Sequence, residues 1–380
     1  MERILILHAS VGTGHKSAAN ALREAFAQNP QRVVRVEDTL DYSTPVFREA
    51  YARSYLQLSE KAPLLWKMFY DTFDTPDADT ALIANRLRGL VERPLVSKLL
   101  QMVARFRPSA ILCTHFLPVE ILERLKREGQ LRAPLFCVVT DFVAQGTWIN
   151  SAVDCYFLAS EMTRQEMITR GVPPPLLRVS GIPVKLEISQ PKPMAEMRAR
   201  HGLPLDQPVM TVFGGGLDPS RVRLMVKRLL ESDLTGEMVV VAGRSETLMA
   251  ALADLGDGPT LRLRKLGYIS YVDDLIAASD LAITKSGGLI VSEILARGTP
   301  MLIIDPIPGQ EEWNADYVAG VGAGAQLRNP ETVPTAALDL FAQPDRLALM
   351  RTCAQRAGRP RAALDIAQQV LDDLRRGRFT

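Results

Sequence analysis

Short, continuous apolar runs recur along the chain, each ending at a glycine, serine or threonine turn and most leading into a segment of helical periodicity. They fall at residues 4–7, 110–113, 135–139, 209–213, 238–242, 281–284 and 300–304, with more mixed strand-like runs at 153–158 and 261–266. Apolar runs without alternation are the signature of strands buried on both faces of a parallel sheet. Repetition of strand, turn and helix therefore predicts an α/β fold. The series is interrupted at 171–193, GVPPPLLRVSGIPVKLEISQPKP, which is dense in proline and lacks helical periodicity. Such a stretch reads as a linker. The expected architecture is two Rossmann-like, doubly wound domains facing across a cleft, at 1–180 and 194–343. Residues 344–380 follow as C-terminal helices rich in Ala and Arg.

A chain of 380 residues with 47% hydrophobic composition can bury two cores of ordinary size. The formal net charge of +2 is close to balance and gives no reason to expect nucleic acid as a partner. Cys113, Cys137, Cys155 and Cys353 are widely spaced and sit mostly in apolar runs, so neither a disulfide framework nor a zinc site is expected. No stretch offers about 18 uninterrupted apolar residues and the N-terminus has no signal-peptide pattern, which predicts a cytoplasmic protein that does not span a membrane.

Residues 281–318 gather the residue types that a nucleotide sugar needs. A strand-like run stops at Ser286-Gly287-Gly288, a helical pattern carrying Glu293 follows, and a second run leads into Pro308-Gly309-Gln310-Glu311. Glycines at the turn let backbone N–H groups approach a phosphate, and the helix N-terminus adds partial positive charge. Glu293 is placed to accept from both hydroxyls of a ribose, and Gln310 and Glu311 to reach sugar hydroxyls. The competing interpretation is an ordinary βαβ unit with a solvated glutamate.

At the N-terminus the first run leads into Gly12-Thr13-Gly14-His15, without the spacing of a dinucleotide fingerprint. His15, at a glycine turn and a helix start, is the candidate general base, with a pKa lowered by the helix terminus. His115 is a weaker candidate. Asp141, at the end of another strand run, would orient His15, contact the acceptor or cap the next turn.

Residues 42–73 concentrate much of the chain's aromatic content beside Lys61 and Lys67. They read either as helices closing over the sheet or as an apolar surface entering a membrane interface. Residues 86–132 carry ten cations against four glutamates, either an anionic-lipid surface or a solvated face.

The combination of HASVGTGHKSAANAL, VFGGGLD, AGRSETL and LGYISYVDDLIAASDLAITKSGGLIVSEILARGTPMLIIDPIPGQEEWNADYV resembles the monogalactosyldiacylglycerol synthase and bacterial diacylglycerol glucosyltransferase family. More distantly, it is similar to the lipid-intermediate N-acetylglucosaminyltransferases of peptidoglycan synthesis. The resemblance covers nearly the whole chain. It implies a GT-B fold in which the C-terminal domain holds a UDP-sugar and the N-terminal domain holds a lipid acceptor at the membrane surface.

By that resemblance, Glu293 would take the ribose, Gly215, Gly216, Gly287 and Gly288 would lie by the diphosphate, and the backbone near Tyr268 would hold the uracil. Gln310 and Glu311 would hold the sugar, and His15 matches the proposed base, with Gly12, Thr13, Gly14 and Asp141 on the acceptor side. The mid-chain loop GGGLDPS lacks a further glycine found in the plant enzymes. The implied reaction is an inverting transfer of glucose or galactose from UDP-glucose or UDP-galactose to diacylglycerol, at the cytoplasmic face of an anionic membrane surface. Lys185 or Arg244 would assist the leaving UDP, and no metal or cofactor is expected. The alternatives are transfer to a lipid-linked cell-wall intermediate or other hydrophobic acceptor, and a UDP-sugar-binding regulator.

Overall fold

Alternate residues of each central strand pack on opposite faces of their sheet, which is why the apolar runs show no polar alternation. In β1 (Arg3–His8), Leu5 and Leu7 join one buried cluster while Ile4 and Ile6 join another. The same division runs through β3 (Ala110–Cys113), β4 (Leu135–Val138) and β5 (Cys155–Leu158). The computed structural model describes residues 2–44, 48 and 97–379.

All strands pair in parallel. The first sheet runs β2-β1-β3-β4-β5-β6, with β2 at Val33–Asp38 and β6 at Leu177–Val179. The second runs β12-β11-β10-β7-β8-β9, built from β7 (Val209–Phe213), β8 (Gly236–Val241), β9 (Leu261–Leu266), β10 (Leu281–Thr284), β11 (Met301–Ile304) and β12 (Gly324–Leu327). Helices flank both sheets, so the doubly wound expectation is met twice. In each sheet the chain reverses its direction of winding once, between β1 and β3 and between β7 and β10. The carboxyl ends of strands at such a reversal form the crevice where open α/β sheets bind ligands.

The chain divides into two units by contact, and the division differs from the sequence-based boundaries. One unit is 1–187 with 307–310 and 361–380, and the other is 188–306 with 311–360. The C-terminal segment is thus not a separate appendage. The helix Ala362–Arg375 presents Ala363, Ile366, Ala367, Val370 and Leu371 to the cluster formed by Ile4, Ile6, Leu22 and Phe26, because its apolar residues recur every three or four positions. Arg178 then pairs with Asp373 at 2.6 Å on the same helix.

Three strands were not visible as apolar runs. β2 (VVRVED) is half-polar because it lies at a sheet edge. β6 occupies three residues inside the proline-rich stretch read as linker, and β12 (GAQL) is an edge strand without a β-branched residue.

Candidate functional site

The carboxyl ends of β1, β3 and β4 bring together residues far apart in sequence. After β1 the loop turns at Gly12, whose φ of 82° is the left-handed conformation that glycine adopts without strain. The helix Gly14–Ala27 then begins, with His15 in its first turn and Ala18, Ala19 and Leu22 packed inward. Thr13 at the N-cap makes no side-chain capping bond.

His15 is fixed at two points by Thr114, which follows β3. The Thr114 hydroxyl donates to the His15 backbone carbonyl at 2.9 Å, and His15 Nδ1 lies 2.9 Å from the Thr114 carbonyl oxygen. A carbonyl can only accept, so the proton sits on Nδ1 and Nε2 carries the lone pair. The Thr140 hydroxyl, just beyond β4, also lies 2.9 Å from Nδ1. Among the described residues, Nε2 has no hydrogen-bond partner.

Burial lowers the His15 pKa to about 4, despite the opposing pull of the Thr114 carbonyl. The sequence-based expectation of a depressed pKa holds, but its main cause is desolvation. His115 stands beside it, ring centroids 4.6 Å apart and nearly perpendicular. Its Nδ1 accepts from Leu117 N–H at 3.0 Å, capping the helix Phe116–Arg127, and burial holds its pKa well below the ordinary value. Trp148 completes this wall, 6.3 Å from His15.

Asp141 is buried beside Thr140, but the group that reaches His15 is the Thr140 hydroxyl. Asp141 accepts from Gln310 Nε2, within the stretch 307–310 that belongs to the same unit. Gln310 and Glu311, expected to act together, therefore have separate partners.

The second unit builds its site along the carboxyl edge of the other sheet. Gly214-Gly215-Gly216 follows β7. Gly216 has φ of 83°, the left-handed conformation that calls for glycine, while a side chain at Gly214 would press on the end of Leu248. Asp218 closes this loop by accepting from the N–H groups of Ser220 and Arg221, which starts the helix Pro219–Leu230. Beyond β8 and β9, Arg244 lies over the exposed ring of Tyr268, 4.8 Å from its centroid. A cation above an open aromatic face makes a platform on which a flat base can stack.

After β10 come Lys285, Ser286, Gly287 and the helix Gly288–Arg297, whose N-cap is Gly287 with no side chain in the way. Its first N–H groups are the anion-binding end of the helix. Glu293 sits half-buried on that helix. Ser286 Oγ donates to the Glu311 carbonyl at 2.5 Å and Asn314 Nδ2 to the Ser286 carbonyl at 2.9 Å, tying this turn to the helix Gln310–Gly320. Lys285, which lies inside the quoted motif but was not singled out in sequence, pairs with Glu311 at 2.9 Å.

The aromatic stretch 42–73 lies almost entirely outside the described residues, as do Arg86, Arg88 and Arg93. Of the remaining basic segment, Arg124, Lys126 and Arg127 pair with Glu128, Asp154 and Glu123. Lys98 and Arg105 have no such partner among the described residues, and with Arg35, Tyr42, Gln101 and Met102 they line an open recess of about 340 Å³.

Two family models match: the monogalactosyldiacylglycerol synthase family over residues 15–184, and the glycosyltransferase family 28 C-terminal domain over residues 210–369. Among similar curated proteins, the processive diacylglycerol beta-glucosyltransferase of Bacillus pumilus is 26% identical over 92% of this chain and 89% of its own. That of Bacillus licheniformis is 28% identical over 92% of this chain and 89% of its own. Among solved structures, MurG of Acinetobacter baumannii superposes with a TM-score of 0.67 at 16% identity, covering 98% of this chain and 100% of that one. The calicheamicin glycosyltransferase CalG4 superposes with a TM-score of 0.61 at 13% identity, covering 98% of each chain. At those identities the superpositions establish the two-domain glycosyltransferase fold.

Proposed function

The chain belongs to the monogalactosyldiacylglycerol synthase and diacylglycerol glucosyltransferase family, and on that premise we propose that it transfers glucose or galactose from a UDP-sugar to diacylglycerol with inversion. What supports the chemistry is a neutral, buried imidazole with a free Nε2 lone pair at one strand reversal, together with two glycine turns and a helix N-terminus at the other. The first is equipped to take a proton and the second to hold a diphosphate.

In this scheme Glu293 accepts from the ribose hydroxyls, and Tyr268 with Arg244 receives the uracil. Gly215, Gly216, Ser286, Gly287 and Gly288 surround the diphosphate, and Gln310 and Glu311 hold the sugar. The diacylglycerol hydroxyl gives its proton to His15 Nε2 as its oxygen attacks the anomeric carbon. The bond from that carbon to the diphosphate breaks, and backbone N–H groups stabilise the departing UDP. Gly12, Thr13, Gly14 and Asp141 border the acceptor. The scheme uses neither a metal ion nor a cofactor. Parallel incubations with UDP-glucose and UDP-galactose, followed by analysis of the lipid product, identify the sugar. A protein that consumes neither donor in the presence of diacylglycerol would lose this assignment.

The acceptor dissolves in a bilayer, and no helix among the described residues is long and apolar enough to cross one. We place the enzyme at the cytoplasmic face of the membrane as a peripheral protein, drawn there by cations such as Lys98 and Arg105. Co-sedimentation with liposomes is expected to rise with anionic lipid content and fall with salt, since the Debye length is about 8 Å at physiological ionic strength and shorter above it. Equal binding to neutral and anionic vesicles at every salt concentration would remove the electrostatic contribution.

A further inference from the structure

Lys285 stands between the two glycine turns of the donor site. It follows the last residue of β10, and a side chain at Gly216 would come 3.4 Å from its Cε and 3.6 Å from its Nζ. These are ordinary van der Waals separations, so the lysine stem lies over the 214–216 loop, where Gly216 is called for by its φ of 83°. Its ammonium is held 2.9 Å from Glu311 Oε1, and among the described residues Glu311 is its one polar partner. Glu311 is itself anchored through its backbone, whose carbonyl accepts from Ser286, so its main chain holds its position beside the turn whichever partner the carboxylate takes.

We propose that Lys285 is an exchangeable cation. In the ligand-free protein it pairs with Glu311, and on entry of a nucleoside diphosphate its ammonium moves to the phosphate oxygens and frees the carboxylate for the sugar hydroxyls. This rests on the donor-binding assignment above and adds a coupling to it: the diphosphate prepares the sugar contact. The exchange is physically easy. A lysine head on a flexible stem reorients readily, a partly exposed ion pair contributes little net stability, and a diphosphate carries more charge than one carboxylate.

Calorimetric titration of the full chain with uridine, UMP and UDP tests this. Lys285→Met is expected to weaken UDP binding roughly ten- to a hundredfold, as loss of one charge-assisted hydrogen bond does, and to leave uridine binding unchanged. Lys285→Arg should retain most of the UDP affinity, and matching thermal melting curves establish that each variant is folded. Glu311→Gln separates the two roles: UDP should bind a few-fold tighter, because the lysine is no longer held back, while turnover of the UDP-sugar falls. Equal losses for uridine and UDP in Lys285→Met, or no loss for UDP, would overturn the assignment of Lys285 to the phosphates. Unchanged or weaker UDP binding in Glu311→Gln would overturn the exchange. A wild-type protein that binds neither UDP nor UMP would instead overturn the donor site itself.

Discussion

His15→Ala is expected to lower turnover by roughly 10²–10⁴-fold, the usual contribution of a positioned general base, while UDP affinity stays close to wild type. The Thr114 carbonyl holds Nδ1–H and the lone pair on Nε2 is left open, so the imidazole stands in the form that accepts a proton. Burial lowers its pKa to about 4, which keeps that form populated at neutral pH. The sign follows directly. Above the pKa His15 is neutral and active, so the acid limb of the wild-type rate profile should fall as pH drops through about 4 rather than near the ordinary histidine value, and the variant should lack that limb. Wild-type turnover with a raised acceptor KM in His15→Ala would make His15 a positioning residue. The base would then be sought at Asp141, because His115 already spends its Nδ1 lone pair on Leu117 N–H and carries its proton on Nε2.

The second large effect concerns the donor. Glu293→Gln is expected to weaken UDP-sugar binding by about 1–3 kcal/mol, because a carboxylate that accepts from two ribose hydroxyls becomes a neutral amide of the same shape. The fold should be unaffected, since the side chain is only half-buried on the helix that starts at Gly288. Titration with UDP reads the effect. An unchanged dissociation constant would return Glu293 to an ordinary place on the helix surface.

What the sequence displayed and what it hid divide along physical lines. Central parallel strands bury both faces, so β1, β3, β4, β7, β10 and β11 stand out as apolar runs. Edge strands bury less and read as mixed segments, which is why β2 and β12 were missed. The glycine turns were legible because a turn is local in sequence, and so was the placing of Glu293 on the helix that follows Gly287.

The partners of His15 were not, because Thr114 and Thr140 lie 99 and 125 residues away and meet it only through the strand order β1-β3-β4. Each is the polar residue that follows an apolar run, and the rule that carboxyl ends of neighbouring strands line one crevice would have gathered them. The C-terminal helix was legible as a helix. Its place on β1 and the first helix was not, since periodicity shows that an apolar face exists without showing what covers it.

The most direct measurement is the chemical identity of the product. Purified protein would be incubated with vesicles containing diacylglycerol and a UDP-hexose, and the lipid extract examined by mass spectrometry and proton NMR. A hexosyl-diacylglycerol whose anomeric coupling is β, formed together with an equal amount of UDP, is the predicted result. An extract holding only unmodified diacylglycerol, or a product with α configuration, would contradict inverting transfer to this lipid.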